Sequence, residues 1–163
     1  MQAMGKETDE IKKNLIITFP GLKDDKDFKI TSKATPNYNC IAWAYQIDGR
    51  WMEPPNGTPY LDGVTFWPEG ATETMDIQSL VEAFKTKGYE ECDNEDLEEG
   101  YMKVALYWNP NNKAWTHAAR QHRDGTWTSK MGSSNDIQHG PPKVLESIPY
   151  GKVYCIMKRK VQF

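Results

Sequence analysis

Cysteine is scarce in this chain: Cys40, Cys92 and Cys155 are the three among 163 residues. An odd, sparse set supplies no disulfide framework, so a reducing compartment is the simplest reading, with one Cys92–Cys155 bridge left open. Runs of apolar residues near the ~18 needed for a membrane helix are missing. The opening stretch Met1–Glu10 is polar and charged, without the apolar core of an export signal. As written, the chain is expected to be soluble and cytoplasmic and not to bind a membrane; delivery by another route stays open. A basic stripe is missing too. The net charge is −3, and lysines and arginines are dispersed apart from Lys158-Arg159-Lys160, which argues against a nucleic-acid partner. The sequence has no phosphate-cradling glycine loop, dinucleotide fingerprint or Gly-x-Ser-x-Gly elbow, and no cofactor is expected.

What is present suits one globular domain. The length can bury a core, and 38% hydrophobic with 26% charged residues is ordinary. Residues 1–14 read as a flexible or helical lead-in and 15–163 as a single domain. Leu15–Phe19 reads as a short strand stopped by Pro20-Gly21, and Phe28–Thr31 as a second extended piece. The segment 48–70 reads as an ordered, aromatic-studded flap forming one wall of a cleft. Thr74 opens the clearest helix, with Ile77, Leu80, Val81 and Phe84 as its buried stripe and Gly88 as its stop. Glu90–Glu99 is expected to be a solvated acidic loop. Strands follow over Met102–Trp108, Ala114–His122, Trp127–Met131 and Gly151–Lys158, the last with Val153, Cys155 and Met157 facing one way. His139 falls in a loop-like segment. The expected class is α+β, an antiparallel sheet with helices packed on one side.

The stretch Pro36–Tyr45 carries the candidate chemistry. Asn39 is a good N-cap, which places Cys40 in the first turn of a helix, where free backbone N–H groups and the macrodipole favour a thiolate. The plain reading of Cys40 is a small buried hydrophobe. A nucleophile needs a base, and His117, on a strand among small residues, is the best candidate. His122 lies beside the Arg123-Asp124-Gly125-Thr126 turn and is expected to be exposed. A zinc site from Cys40, His117 and His122 is disfavoured, because residues five apart on a strand face opposite ways.

The order of Cys40 at a helix start, then His117 on a later strand, resembles the papain-like amidase fold of NlpC-type cell-wall peptidases. The strings Tyr38-Asn39-Cys40-Ile41-Ala42-Trp43-Ala44, Thr116-His117-Ala118-Ala119-Arg120-Gln121, Trp127-Thr128-Ser129-Lys130 and Asp136-Ile137-Gln138-His139 are similar to a bacterial family without an assigned activity, over about residues 15 to 159. The resemblance implies a cysteine-dependent amide hydrolase or acyltransferase acting on a peptide or peptidoglycan-like bond. It makes Cys40 the nucleophile and His117 the base, paired as thiolate and imidazolium. The orienting third residue would fall at Ser129, with Asp136 and His139 as rivals. The usual Asp-Cys-Ser start is Asn39-Cys40-Ile41 here. The Cys40 N–H with Tyr38 or Asn39 would hold the oxyanion, and Trp43 would line the substrate side. Arg120 and Lys130, if they line the cleft, would favour a substrate carboxylate.

The hairpin register matters to this reading. A two-residue loop at Asp124-Gly125 puts Lys130 on the His117 face. A three-residue loop with Gly125 in a left-handed bulge puts Ser129 there, and the family spacing favours that second register. The rival from another class is a binding module in which Cys40 is simply buried, and a third reading is an inactive relative of the amidase fold.

Overall fold

The computed structural model describes residues 2–32, 34, 38–46, 50–55, 65–131 and 135–161. The architecture is α+β. Helix α1 spans Gln2–Thr18, α2 Cys40–Tyr45 and α3 Ile77–Lys85. The strands are β1 Lys29–Ile30, β2 Trp51–Met52, β3 Thr65–Phe66, β4 Glu90–Cys92, β5 Tyr101–Asn109, β6 Ala114–Gln121, β7 Trp127–Lys130, β8 Asp136–His139 and β9 Lys152–Lys160. Seven strands form one antiparallel sheet in the order β1-β8-β7-β6-β5-β9-β4. Strands β5 to β8 run as a meander, and β9 returns to lie between β5 and β4. Strands β2 and β3 form a separate parallel pair. None of the described helices is long and apolar enough to cross a membrane.

Leu15–Phe19 is not a strand. Its first four residues close α1, with Phe19 N–H donating to Leu15 O at 2.7 Å and Thr18 Oγ1 donating to Asn14 O at 3.1 Å. Read with Ile11, the half-buried Leu15 and Ile16 continue a helical stripe, and this outweighs the strand preference of a short β-branched run. Helix α3 starts later than Thr74. Asp76 is its N-cap, accepting from Gln78 N–H at 2.9 Å, while Thr74 bonds the Ser79 side chain. Of the acidic run, Glu90–Cys92 forms an edge strand instead of a loop, because Glu90 finds Lys158 directly opposite on β9.

The helices do not all pack on one side. Helices α2 and α3 cover one face with Ile41, Ile77, Leu80, Val81 and Phe84 against Val104, Leu106, Ala118 and Met157. The end of α1 and single 3-10 turns at Pro20–Leu22 and Pro142–Leu145 cover the other, with Leu22 and Leu145 against Ala105, Tyr107, Ala119 and Ile137. Val104–Tyr107 are buried at every position, so the centre of the sheet must be covered twice.

Two bulges shift side chains between the faces. Pairing of β5 with β9 passes from Leu106↔Cys155 to Tyr107↔Val153, leaving Tyr154 as an extra residue. Val153 therefore joins the cluster that holds Ile156, not the Cys155 and Met157 side. Pairing of β5 with β6 passes from Tyr107↔His117 to Trp108↔Trp115, so Thr116 is the extra residue there. All three cysteines are free, which closes the question of a Cys92–Cys155 bridge in this fold. Of the proposed flap, residues 48, 49 and 56–64 lie outside the described residues. In its described part Met52 is fully buried and Trp67 stacks on Trp115 at 6.1 Å.

Candidate functional site

Cys40 is the first residue of α2, and Asn39 is its N-cap. The Asn39 Oδ1 accepts from Ala42 N–H at 3.0 Å and from Met52 N–H at 3.2 Å, while its Nδ2 donates to Met52 O at 2.7 Å. This side chain ties α2 to β2, and of the two N–H groups on its Nδ2 one is used in that contact. Tyr38 is spent, since its hydroxyl donates to Asp136 Oδ2 at 2.8 Å.

Around the Cys40 sulfur, the backbone amides of Ala118, Ile41 and Cys40 itself, and the Lys130 charge, all favour a thiolate. Burial outweighs them and pushes the thiol up to about 11. Burial therefore works against the expected thiolate–imidazolium pair at rest. A six-residue helix and three amides do not offset the desolvation of a sulfur only 8% exposed.

His117 lies on the other face of the sheet. Its ring stacks on Tyr150 at 4.1 Å and 9°, and meets the Tyr107 ring edgewise at 5.2 Å. The hairpin adopts the three-residue register: Arg120 pairs with Thr128, His122 N–H donates to Thr126 O, and Gly125 has φ +90°. Ser129 therefore shares the His117 face. His139, on strand β8 and not in a loop, sits beside it because Trp127 pairs with His139.

These three residues form a continuous buried chain. His117 Nε2 and Ser129 Oγ are 3.0 Å apart, Ser129 Oγ and His139 Nε2 are 2.8 Å apart, and His139 Nδ1 is 3.0 Å from Gly140 O. A carbonyl can only accept, so His139 Nδ1 carries a proton and donates it. Burial holds His139 down at about 4, so the ring is neutral at pH 7 and its Nε2 is a bare acceptor. Ser129 O–H must then donate to His139, and His117 Nε2–H donates to Ser129. His117 is kept neutral by burial, with the nearby His139 acting in the same direction. Its remaining nitrogen, Nδ1, is an unprotonated base, buried and without a hydrogen-bond partner among the described residues.

Asp136 does not orient His117. It pairs with Lys130 on the α2 face, where the buried Lys130 Nζ lies 5.4 Å from the Tyr38 ring. Trp43 also belongs to that face, stacking on Tyr38 at 5.8 Å and donating from Nε1 to Thr128 Oγ1 at 3.1 Å. Arg120 lies 4.1 Å over the Trp43 ring and donates to Trp43 O at 3.1 Å. His122 is half-buried, not exposed, with Nε2 2.6 Å from Thr128 Oγ1. Among the described residues no group of three histidine, cysteine or acidic side chains is arranged to hold a metal.

The predicted residues thus fall into two sets. Cys40, Tyr38, Trp43, Arg120, Lys130 and Asp136 lie on the α2 face, and His117, Ser129 and His139 on the opposite one. They meet at β6, where the amide aimed at the Cys40 sulfur belongs to Ala118, the residue after His117. Tyr150 and Tyr107, which wall in His117, had no signal in motif spacing. Tyr150 is held by the tight turn at Gly151, where a Cβ would come within 2.1 Å of Trp108 O and φ is +67°.

No curated protein and no solved structure matches the chain. A family model described as a domain of unknown function, DUF7689, matches residues 29–158, and the chain belongs to that family.

Proposed function

We propose that this member of the DUF7689 family is a cysteine-dependent amide hydrolase or acyltransferase of papain-like, NlpC-like topology, acting on a peptide or peptidoglycan-like bond. One observation carries the reading. The chain Gly140–His139–Ser129–His117 leaves a bare imidazole nitrogen on the residue just before Ala118, whose amide faces the Cys40 sulfur. A structural histidine in a core usually spends both nitrogens on partners. Here one nitrogen is spent on a proton-ordering chain, and the other is left as a base.

In this mechanism the thiol is uncharged at rest. Cys40 meets β6 at Ala118, beyond the last β6–β7 pair Arg120↔Thr128, so its proton would reach His117 Nδ1 through the opening between these two strands. The transfer is uphill until negative charge can move onto a substrate carbonyl, so proton transfer and attack proceed together. Cys40 sulfur forms a bond to the carbonyl carbon, and the carbonyl π pair moves to oxygen. The Cys40 N–H donates to that oxyanion, and the buried Lys130 ammonium adds a favourable field. The imidazolium keeps its Nε2–H on Ser129 and passes the Nδ1 proton to the leaving amine. Water, or an acceptor amine in a transferase, then attacks the thioester, giving up a proton through His117, and the thiol re-forms.

The test uses p-nitrophenyl acetate as acyl donor and mass spectrometry of the intact chain's cysteine peptides. Acetyl transfer to Cys40 faster than to Cys92 or Cys155 supports the reading. It should be lost in His117→Gln, whose amide can still donate to Ser129 but offers no base at the Nδ1 position. Acetylation of Cys40 no faster than at the other cysteines, or unchanged in His117→Gln, overturns it in favour of a binding module with an inert, buried thiol.

A further inference from the structure

At the far end of α2 from Cys40, three cations gather around one buried phenol. Arg120 donates to Trp43 O, and Lys87 Nζ donates to Tyr45 O while lying 4.5 Å over the Tyr45 ring. Arg159 lies 5.5 Å from the Tyr89 ring. The strand registers Val104↔Arg120 and Met102↔Arg159 put both guanidinium groups on the α2 face, and Lys87 arrives from the end of α3.

Part of this arrangement is explained within the fold. Two of the cations cap the carbonyl end of a short helix, and all three rest on aromatic faces, each such contact giving roughly 1 kcal/mol. The rest is not explained. Tyr89 is 2% exposed, and its hydroxyl lies against the Arg159 and Gln46 side chains. The buried Nε of Arg159 has no hydrogen-bond partner among the described residues. Among the described residues neither Lys87 nor Arg159 has an ion-pair partner. Burial, then the Arg159 and Arg120 charges, pull the Lys87 amine down to about 8. Like charges held this close, with a buried guanidinium N–H facing no acceptor among the described residues, have room for a negative group that carries several lone pairs.

We propose that Lys87, Arg159 and the Tyr89 hydroxyl, with Arg120 beside them, form a binding site for an oxyanion, borne as a phosphate or a carboxylate on a small ligand. The anion would sit between the Lys87 ammonium and the Arg159 guanidinium, both half-buried and so within reach of solvent. Gly88, exposed beside Arg159, places no side chain across the approach. The site lies at the opposite end of α2 from the thiol and does not rest on the acyl-transfer reading.

The test follows Lys87 itself. The intact protein is labelled with acetic anhydride at pH 8, with inorganic phosphate or succinate added at ionic strength matched by sodium chloride, and labelling is read by peptide mass spectrometry. A bound anion favours the charged amine, so Lys87 labelling is expected to fall several-fold and saturably, while the exposed Lys29 and Lys152 are unaffected. Protection by phosphate alone assigns a phosphate ligand, and protection by succinate alone a carboxylate. Arg159→Gln should weaken the protection at least tenfold, and Arg159→Lys should restore part of it. Should Arg159→Gln fail to fold, the saturable heat of phosphate or succinate binding to the wild type, lost in Lys87→Met, decides the matter. Protection that sodium chloride reproduces, that neither anion gives, or that survives Arg159→Gln undiminished overturns the proposal.

Discussion

His139 Nε2 lies 2.8 Å from Ser129 Oγ, and that contact sets the proton order of the whole buried chain. Because His139 donates its Nδ1–H to Gly140 O, the serine can only give its proton toward His139. His117 then has to be the Nε2–H tautomer. Nitrogen-15 spectra of the imidazoles should show His117 protonated at Nε2 and His139 at Nδ1. The opposite assignment at His117 would remove the base on which the proposed chemistry depends.

Ser129→Ala removes the hydroxyl from a site that is fully buried and leaves two imidazole nitrogens facing one another without a mediator. We expect a loss of about 1–3 kcal/mol in stability, the usual cost of unsatisfied buried polar groups. Urea denaturation measures it. Ser129→Cys should recover only part, since a thiol is a weak donor.

Stability should fall in mild acid. Both His117 and His139 titrate below their unfolded value near 6.5, so in the window below that value the unfolded chain binds more protons than the folded one. Stability is then full above about 6.5 and is lost as pH drops toward about 4, the His139 value. For His139 alone this amounts to on the order of 3 kcal/mol across the window. Denaturation midpoints between pH 7 and pH 4.5 should show the slope, and His139→Gln should flatten it.

Cys40 should resist alkylation at neutral pH. Its thiol titrates near 11, so iodoacetamide at pH 7.5 should label the half-buried Cys92 first, with Cys40 rising only in strong alkali. Lys130→Met removes a charge that favours the thiolate and should slow Cys40 labelling further. Rapid labelling of Cys40 at pH 6 would contradict the burial that governs its titration.

Gly151→Ala should be severely destabilising, by about 3 kcal/mol or more, since it combines a left-handed backbone with a Cβ driven into the Trp108 carbonyl. The Tyr150 ring should lose its stack on His117, and the ring-current shift of the His117 protons should report the loss even where some fold survives.

Local signals in the sequence determined a good deal. Asn39 before an apolar run was enough to start α2 at Cys40, because an N-cap acts on amides only two or three residues away. The stripe Ile77, Leu80, Val81 and Phe84 defined α3, and the Asp124-Gly125 turn with the family spacing favoured the register that puts Ser129 on the His117 side. What the tertiary structure alone decided is non-local. The bulge at Thr116 depends on how β5 and β6 pair, and it brings Trp115 to the α2 face while His117, two residues on, keeps the opposite one. His139 reaches Ser129 only because β8 adds to β7, and Tyr150 arrives from a turn far along the chain. The state of Cys40 was settled the same way. Sequence shows the helix start that favours a thiolate, but the cost of desolvating sulfur is set by what packs around it, and here that cost is the larger.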